Sequence, residues 1–331
     1  MTFRRLSTDG PLPAELRGGV VAIGNFDGLH RGHQAVLGSA LDEARQRNAP
    51  ALVLTFEPHP RTVFRPEVPL FILTPPEMKA RLLAELGFDA VVEQRFTRDF
   101  AGQSAEEFVT GVLDSTLGIG HAVTGFDFHF GKNRQGGPAF LMASGERHGF
   151  HVTLVDAFRD EGAEIVSSSR IRSLLEEGAV AEAAGLLGYR FTVSSTVVAG
   201  KKLGRTLGFP TANMRLPDTM ALKHGIYAVR FGRSDGTLHD GVASFGRRPT
   251  VEEDGAALLE TFLFDFDGDL YGETCQVSFF GFLRGEEKFD GLERLVAQIK
   301  QDEAEARALL SGVRPLSALD GSVAFTSAGN L

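Results

Sequence analysis

The stretch Val20–His33, VVAIGNFDGLHRGH, constrains the fold more than any other part of this sequence. Val20–Ile23 is apolar and rich in β-branched residues, which predicts a short buried strand. The glycines, asparagine and aspartate that follow favour a tight turn. Beyond Gly32 the apolar residues recur at helical spacing, as Val36, Leu37, Ala40, Leu41 and Ala44. The stretch therefore predicts a strand, a glycine-bearing loop and a helix in direct succession.

Two histidines stand at the predicted helix entrance. His30 and His33 are three residues apart, so they lie on one face of the first turn. A helix N-terminus offers N–H groups and the positive end of its dipole, which favour phosphate. The alternative is a local role, in which the aspartate caps the helix and the glycines only form the turn. The position between strand and helix favours a phosphate site, with the candidates Gly24, Phe26, Asp27, Gly28, His30 and His33.

The same stretch resembles the HIGH-type motif of the α/β nucleotidyltransferase superfamily. Its longer form GNFDGLHRGH, residues 24–33, resembles the first module of the bifunctional riboflavin kinase/FMN adenylyltransferase family. The resemblance implies an α/β domain followed by a β domain. The first is a Rossmann-like, HIGH-type nucleotidyltransferase domain with a parallel sheet, and the second is an antiparallel riboflavin-kinase β-barrel with a C-terminal helix. It also implies catalytic roles for His30 and His33.

Length and composition agree with two globular domains. A chain of 331 residues with 43% apolar and 23% charged residues is ordinary for a soluble protein. The net charge of −9 argues against nucleic acid as a partner, whereas phosphate ligands need only a local basic patch. The single cysteine, Cys275, excludes an intrachain disulfide. With no apolar run after the first arginines and no apolar stretch of ~20 residues, we expect a cytoplasmic protein without membrane contact. Monomer and weak self-association both stay open.

Strands alternate with helices in the first half of the chain. Strands are predicted at residues 51–56, 90–93, 121–124 and 152–155. Capping boxes at Thr74 with Glu77 and at Ser104 with Glu107 predict two helices, the first ending near residue 86. This alternation predicts βαβ units and a parallel sheet, whose ligands bind beyond the carboxyl ends of the strands.

The segment Gly125–Gly137, GFDFHFGKNRQGG, is dense in glycine, aromatic and basic residues. On composition alone, a packing loop explains it as well as a binding loop does. It resembles the flavin-module segment GxDFRFGxxRxGD, although His129 stands at the usual arginine and Gly137 at the usual aspartate. The family resemblance implies flavin contacts from Pro58, Phe126, Asp127 and Phe128.

Val166–Arg172, VSSSRIR, opens another predicted helix. Serines at a helix entrance are first of all caps. The segment also resembles the second signature of the nucleotidyltransferase superfamily, ISSTxIR, in which the serines and the last arginine hold the phosphates of ATP. The resemblance implies phosphate contacts from Ser168, Ser169 and Arg172. The first domain is predicted to span residues 1–187.

The pattern changes near Gly188. Strand-like runs rich in valine, threonine and phenylalanine now alternate with turn residues, at residues 191–198, 226–231, 238–244, 258–266 and 275–280. They predict an antiparallel barrel or sandwich over residues 188–311. A closing helix, Lys288–Leu310, is predicted with an apolar stripe of Leu292, Leu295, Val296 and Ile299. Residues 312–331 are small and polar, which predicts a loose tail.

The segment Ala199–Met214, AGKKLGRTLGFPTANM, follows the first predicted barrel strand. Taken alone, its glycines and cations fit a solvated basic loop as well as a phosphate-binding flap. Its hexapeptide GFPTAN resembles the riboflavin kinase signature, which implies that Thr211 and Asn213 bind Mg²⁺, a cation that prefers oxygen ligands. The resemblance also implies ATP contacts from Gly200, Lys201, Lys202, Gly204, Arg205 and Pro210. Leu203 departs from the family by replacing an arginine.

Glu260 interrupts an otherwise apolar run of the predicted barrel. A structural carboxylate paired with another side chain is the alternative to a catalytic one. The resemblance makes Glu260 the general base for the 5′-hydroxyl of riboflavin, a role that suits a carboxylate within hydrogen-bond reach. Three nearby aspartates, Asp265, Asp267 and Asp269, are expected in a solvated turn.

The resemblance extends from about Val20 to Asp302 and implies two reactions. Riboflavin and ATP give FMN in the second domain, and FMN and ATP give FAD and pyrophosphate in the first. Two other hypotheses stay open. One is a kinase whose first domain is degenerate and regulatory, which the departures at His129 and Gly137 suggest. The other is a flavin carrier without catalysis.

Overall fold

The computed structural model describes residues 2–200, 209–247 and 257–326. The chain forms two compact units, Met1–Ser167 and Ser168–Leu331. This division precedes the boundary predicted after residue 187. The reason is that helices α7 (Ser168–Glu177) and α8 (Val180–Leu187) pack on each other, and α8 packs against the last barrel strand. The two helices therefore extend the second unit.

The first unit is built on a parallel sheet of six strands in the order β1-β4-β3-β2-β5-β6. The strands are β1 (Arg4–Ser7), β2 (Val20–Ile23), β3 (Ala51–Glu57), β4 (Ala90–Arg95), β5 (His121–Gly125) and β6 (His151–Val155). All the strands predicted for this half are confirmed, with small shifts at their ends. The edge strand β1 was not predicted, because its sequence RRLS carries only one apolar residue.

Helices connect these strands. They are α1 (Arg31–Arg47), α2 (Pro60–Phe64), α3 (Pro76–Leu86), α4 (Arg98–Ala101), α5 (Ala105–Glu107) and α6 (Pro138–His148). α5 continues as a π-helical segment, Phe108–Leu117. α1 packs on β2 and β5, the two central strands that precede the predicted site segments.

The two predicted capping boxes have different outcomes. The box of Ser104 and Glu107 is confirmed, since both of its hydrogen bonds are present at the start of α5. The box of Thr74 and Glu77 is wrong. α3 begins after Pro75, and the Thr74 hydroxyl instead accepts a hydrogen bond from the Gly28 N–H at 2.8 Å. A tertiary partner has replaced the local one.

The second unit contains a closed antiparallel barrel with the strand order β10-β11-β8-β7-β12-β9. The strands are β7 (Thr192–Val198), β8 (Thr211–Leu216), β9 (Gly225–Gly232), β10 (Leu238–Arg247), β11 (Ala257–Leu263) and β12 (Thr274–Arg284). Its core includes fully buried aromatic side chains, namely Tyr227, Phe231, Phe245 and Phe279. β8 was missed from the sequence because its residues were assigned only to a binding loop.

Helix α9 (Leu292–Ser311) closes the barrel domain, and its charge pair of Glu303 and Arg307 is confirmed at 2.9 Å. The predicted apolar stripe does not form its buried face. Leu292 is 59% exposed, and the buried residues of α9 are Asp302, Ala306 and Leu310. A pattern of apolar residues could not predict the burial of Asp302, because this burial depends on the Arg284 guanidinium, which pairs with the Asp302 carboxylate at 2.7 Å.

The prediction of a loose tail over residues 312–331 is wrong for helix α10 (Ala318–Ala324). Asp320 of this helix is fully buried, and its carboxylate accepts hydrogen bonds from the Arg190 N–H at 2.7 Å and from the Arg190 guanidinium. Next to α10, the Phe325 ring packs edge-on against Phe280 at 5.7 Å between centroids. Leu319, Asp320, Val323 and Ala324 of this helix are buried, so tertiary contacts hold this part of the segment.

Candidate active sites

The first candidate site lies in the histidine loop, residues 24–33, at the carboxyl end of β2. His30 caps α1, and its Nδ1 accepts a hydrogen bond from the His33 N–H at 3.3 Å. That bond leaves the proton of a neutral His30 ring on Nε2. The His30 and His33 rings are stacked, with their centroids 3.6 Å apart. The prediction that both imidazoles share one face of the first turn is thus confirmed, and their contact with phosphate stays a prediction.

His33 offers an unpaired ring nitrogen. Its Nδ1 is buried and has no hydrogen-bond partner among the residues that the structure describes, and the same holds for Asn25 Oδ1. Burial lowers the pKa of His33 well below its usual value, and positive charge on His30 and Lys79 lowers it further. The ring is therefore neutral at pH 7 and carries one N–H donor and one acceptor. Buried polar atoms without partners are uncommon, and here they favour a ligand that completes the site.

Other residues of the histidine loop serve to hold its shape. The buried Asp27 carboxylate accepts the N–H groups of Leu73 and Thr74 at 2.9 and 3.0 Å. The Gly28 N–H, which the sequence offered to phosphate, donates to the Thr74 hydroxyl. Asp27 and Gly28 therefore position the loop, whatever contacts they make with substrate.

Phe26 packs inside this loop. Its backbone is left-handed, with a φ of 49°, and its side chain is 2% exposed. The ring meets His33 edge-on at 5.4 Å between centroids. A Cβ at Gly24 would lie only 3.0 Å from the same ring, so glycine leaves room for this close approach. The Phe26 ring thereby helps to fix the place of His33.

The segment VSSSRIR opens a helix, as predicted, because α7 begins at Ser168. Ser169 and Arg172 lie in its first turns. All three candidates belong to the second compact unit rather than to the first. Their contacts with the phosphates of ATP stay predictions.

The candidate flavin residues follow the strands on either side of β2. Pro58 follows β3, and Phe126, Asp127 and Phe128 follow β5. Because β3, β2 and β5 are adjacent and parallel, their carboxyl ends share one edge of the sheet. Phe126 is 46% exposed, whereas Phe128 stacks on Phe130 with 5.4 Å between ring centroids. An exposed ring at this edge suits stacking with an aromatic ligand.

The two departures from the family pattern in this loop are neighbours. A Cβ at Gly137 would lie 3.5 Å from the His129 ring. The family usually has arginine and aspartate at these two places, a pair of opposite charges. The His129 Nδ1 instead lies 2.7 Å from the Asp127 carbonyl oxygen.

The second candidate site is set by strand register in the barrel. Glu260 of β11 lies opposite Asn213 of β8 on one side and opposite Ser244 of β10 on the other. Residues directly opposite each other in antiparallel strands share a face of the sheet. The structure therefore brings the predicted base beside a predicted metal ligand. Ser244 joins them on that face, and sequence reasoning had not singled it out.

A cavity of about 220 Å³ is lined among others by Gly200, Pro210, Thr211 and Asn213, whereas Glu260 and Ser244 are not among its lining residues. A Cβ at Gly200 would lie 2.6 Å from Asn213 Nδ2, so only glycine permits this approach. The predicted contacts Lys201, Lys202, Gly204 and Arg205, and the departure at Leu203, fall outside the described residues.

The acidic turn is exposed, as predicted. Asp267 and Asp269 are exposed side chains that also line the cavity, together with Tyr271. Asp265 is exposed and pairs with the Arg307 guanidinium at 2.9 Å. The pairing with Arg307 lowers the pKa of Asp265.

Oxygen donors for a metal ion are present in the cavity. Asn213 Nδ2 donates to the Thr211 carbonyl at 3.2 Å, which leaves Asn213 Oδ1 as the amide atom able to face a cation. The Thr211 hydroxyl is a second oxygen donor, and both suit Mg²⁺. Within the described ranges, no cluster of three or more His, Cys, Asp or Glu side chains is arranged to hold a metal. The two oxygen donors fit an Mg²⁺ ion, which would take its other ligands from ATP and water.

Comparison with known families gives two matches. The family model described as FAD synthetase matches residues 12–170, and the one described as riboflavin kinase matches residues 187–310. The matches follow the order of the two units.

Curated relatives match along most of the chain. A protein of Listeria monocytogenes named bifunctional riboflavin kinase/FMN adenylyltransferase is 41% identical over 296 residues, which cover 88% of this chain and 92% of the relative. A protein of the same name from Escherichia coli K12 is 40% identical over 303 residues, which cover 91% and 96%.

A solved structure has the same fold. The crystal structure titled macrolide-efflux protein from Streptococcus pneumoniae matches with a TM-score of 0.82 at 32% identity, covering 93% of this chain and 99% of that one. Of the helices described in the present structure, none combines the length and the apolar character that crossing a membrane requires. The two domain matches and the relatives together show that this chain belongs to the bifunctional riboflavin kinase/FMN adenylyltransferase family.

Proposed function

We propose that the two candidate sites carry the two activities of the family. The barrel makes FMN and ADP from riboflavin and ATP. The first activity, which makes FAD and pyrophosphate from FMN and ATP, is assigned to the histidine loop. The observation that supports this assignment best is the register that puts Glu260 opposite Asn213, because it joins a base and a metal ligand from distant parts of the sequence.

In the kinase step, Glu260 accepts the proton of the riboflavin 5′-hydroxyl as the hydroxyl oxygen attacks the γ-phosphorus of ATP. The bond to the β,γ-bridging oxygen breaks, and ADP leaves. Thr211 and Asn213 would hold Mg²⁺, which supplies positive charge to the ATP phosphates when it is bound. Gly200, Lys201, Lys202, Gly204, Arg205 and Pro210 are proposed to contact ATP.

In the adenylyl-transfer step, a phosphate oxygen of FMN attacks the α-phosphorus of ATP and pyrophosphate leaves. The FMN phosphate is already ionised, so this step needs no general base. His33 is neutral and donates a hydrogen bond to developing negative charge, an interaction that is strong in a buried site. His30 orients His33 by stacking. The ATP contacts proposed besides these are Gly24, Phe26, Asp27, Gly28, Ser168, Ser169 and Arg172, and the flavin contacts are Pro58, Phe126, Asp127 and Phe128.

Product analysis distinguishes the hypotheses. The protein is incubated with riboflavin, ATP and Mg²⁺, and the flavins are separated by chromatography. FMN and FAD together support the proposal. FMN alone supports the hypothesis of a regulatory first unit, and unchanged riboflavin supports a carrier without catalysis.

The variant His33→Ala tests the first site. FAD formation from added FMN should fall on the order of 10²–10³-fold, because a donor to transition-state charge is lost. FMN formation from riboflavin should be unchanged. His148→Ala, which removes a histidine paired with Asp114 on the surface of the same unit, is the control. Normal FAD output from a folded His33→Ala protein would contradict the assignment.

The proposed compartment and partners follow from the substrates and the net charge. We propose that the protein works in the cytoplasm, where ATP is available, with riboflavin, FMN and ATP as its partners and without nucleic acid. The net charge of −9 supports the last point.

A further inference from the structure

Lys79 is a buried cation that lies outside the motifs singled out in the sequence. It lies in α3 and is 4% exposed. Its ammonium group donates to Glu57 Oε1 at 2.6 Å and to Thr55 Oγ1 at 3.1 Å. Lysine is almost never buried to this degree without a paired charge, and Glu57 supplies that charge here. Placing an ion pair inside a protein seldom adds stability by itself, so the pair calls for another explanation.

The hydrogen bonds of Lys79 lead directly to the histidine loop. Thr55 is fully buried, and its Oγ1 in turn donates to the backbone carbonyl of Asn25 at 3.2 Å. Asn25 lies in the turn between β2 and His30, and its own side-chain oxygen is buried without a partner in the described part of the chain. One chain of contacts thus runs from Lys79 through Thr55 to the backbone of the loop.

We propose that Lys79 is a positioning residue for adenylyl transfer, which fixes the histidine loop through Thr55 and places a buried positive charge behind the His30–His33 pair. This inference rests on the proposed site at His33. An ammonium group has three N–H donors, and the described residues accept from two of them. Its charge acts on the site without requiring a protonated histidine.

The electrostatics agree with this role. The charge on Lys79 contributes to the lowered pKa of His33, behind the larger effect of burial and the effect of His30. The charged groups involved are His30 on the same helix turn, Lys79 from α3, and Glu57 of β3, which faces Lys79. The site therefore keeps a neutral hydrogen-bond donor together with a fixed positive charge, an arrangement that suits ATP phosphates.

The test compares four variants of the full-length protein. Lys79→Met should lower FAD formation from FMN and ATP on the order of 10²-fold, mainly in kcat, because a displaced site reacts slowly. Lys79→Arg should recover part of the rate. Lys79→Met combined with Glu57→Gln should stay slow. Recovery in this double variant would overturn the proposal, since it would show that Lys79 only neutralises Glu57. Arg45→Met, which removes an exposed cation paired with Asp42, is the control and should be unchanged.

A pH profile separates positioning from general destabilisation. Without the Lys79 charge, the pKa of His33 rises, so the acid side of the profile for FAD formation should move to higher pH in Lys79→Met. An unmoved profile with a normal rate would overturn the proposal. FMN formation by the barrel and circular dichroism report on folding. If Lys79→Met does not fold, Thr55→Val removes only the linking hydroxyl and should lower FAD formation, and a normal rate in that variant would count equally against the proposal.

His33→Ala in the same assay keeps the two proposals distinguishable. If His33→Ala is inactive and Lys79→Met is fully active, only the role of Lys79 fails. If His33→Ala is fully active, the site assignment itself fails.

Discussion

The histidine loop and the barrel site are held in place by different means. In the loop, contacts within the loop are joined by hydrogen bonds from elsewhere in the first unit, such as Thr74 with Gly28 and Thr55 with Asn25. In the barrel, the pairing of β11 with β8 places Glu260 beside Asn213, and the backbone hydrogen bonds between the two strands keep them there. Substitutions outside the histidines can therefore destabilise the loop, whereas a substitution of Glu260 can abolish catalysis in the barrel site without changing its fold.

The backbone explains the contrast. Phe26 and Leu29 have positive φ values of 49° and 35°, a conformation that a side chain adopts only when its surroundings compensate the cost. Glu260 lies in an ordinary strand, where alternate residues share a face by geometry alone. Substitutions of supporting residues and substitutions of catalytic residues should therefore affect stability and reaction rate differently in the two units.

The largest effect is expected for Glu260→Gln. The change keeps the shape of the side chain and removes the base, so FMN formation should fall on the order of 10²–10⁴-fold. Because the register does not depend on the carboxylate, the urea midpoint and the conversion of FMN to FAD should be unchanged. A near-normal rate of FMN formation would make Glu260 structural, and a large loss of stability would show that the barrel site also depends on side-chain contacts.

The next largest effect is expected at helix α10, which lies outside the barrel strands and is held by the ion pair of Asp320 and Arg190. Asp320→Ala should lower the free energy of unfolding of this unit by about 3–5 kcal/mol, because the buried Arg190 guanidinium loses its partner. Urea unfolding followed by circular dichroism measures this change. Glu303→Gln, which breaks a surface pair with Arg307, is the control and should cost less than about 1 kcal/mol. Equal effects of the two variants would contradict a structural role for α10.

Thr74→Val tests support without chemistry in the histidine loop. The variant leaves the buried Gly28 N–H without its acceptor, which should cost about 1–3 kcal/mol. FAD formation should fall, while FMN formation stays normal. Thr110→Val, whose hydroxyl bonds only the Glu106 carbonyl of its own helix, is the control. If Thr74→Val loses neither stability nor FAD formation, the loop does not depend on its distant contacts.

The smallest effect is a dependence of stability on pH. Burial lowers the pKa of His121 as well as that of His33, so the folded first unit takes up these protons only below the pH at which the unfolded chain does. The free energy of unfolding should therefore fall as the pH drops through about 6.5, the usual histidine pKa. Urea unfolding at about pH 7.5 and about pH 5.5 measures the loss. The loss should be smaller in His121→Gln, and an identical loss would exclude His121 as a contributor.

The order of the domains, the parallel and antiparallel strand patterns and the position of most of the motifs could be predicted from the amino-acid sequence alone. These are local properties. A β-branched run before a glycine turn, or a period of two, is visible in a short window. The pairing of His30 with His33 was predictable for the same reason, since three residues span about one helical turn.

Which polar residues support the sites depends on the folded arrangement of the chain and could not be predicted from the sequence. The sequence around Thr74 predicts a helix cap, but its hydroxyl accepts a hydrogen bond from Gly28 of the histidine loop. Lys79 is a charged helix residue of the kind expected on the surface, and it is buried. Asp320 lies in a segment that composition predicts to be loose and is held by Arg190. Each role depends on a partner distant in sequence, and the free energy of burying a polar group is favourable only when that partner is in place. No local pattern carries that information.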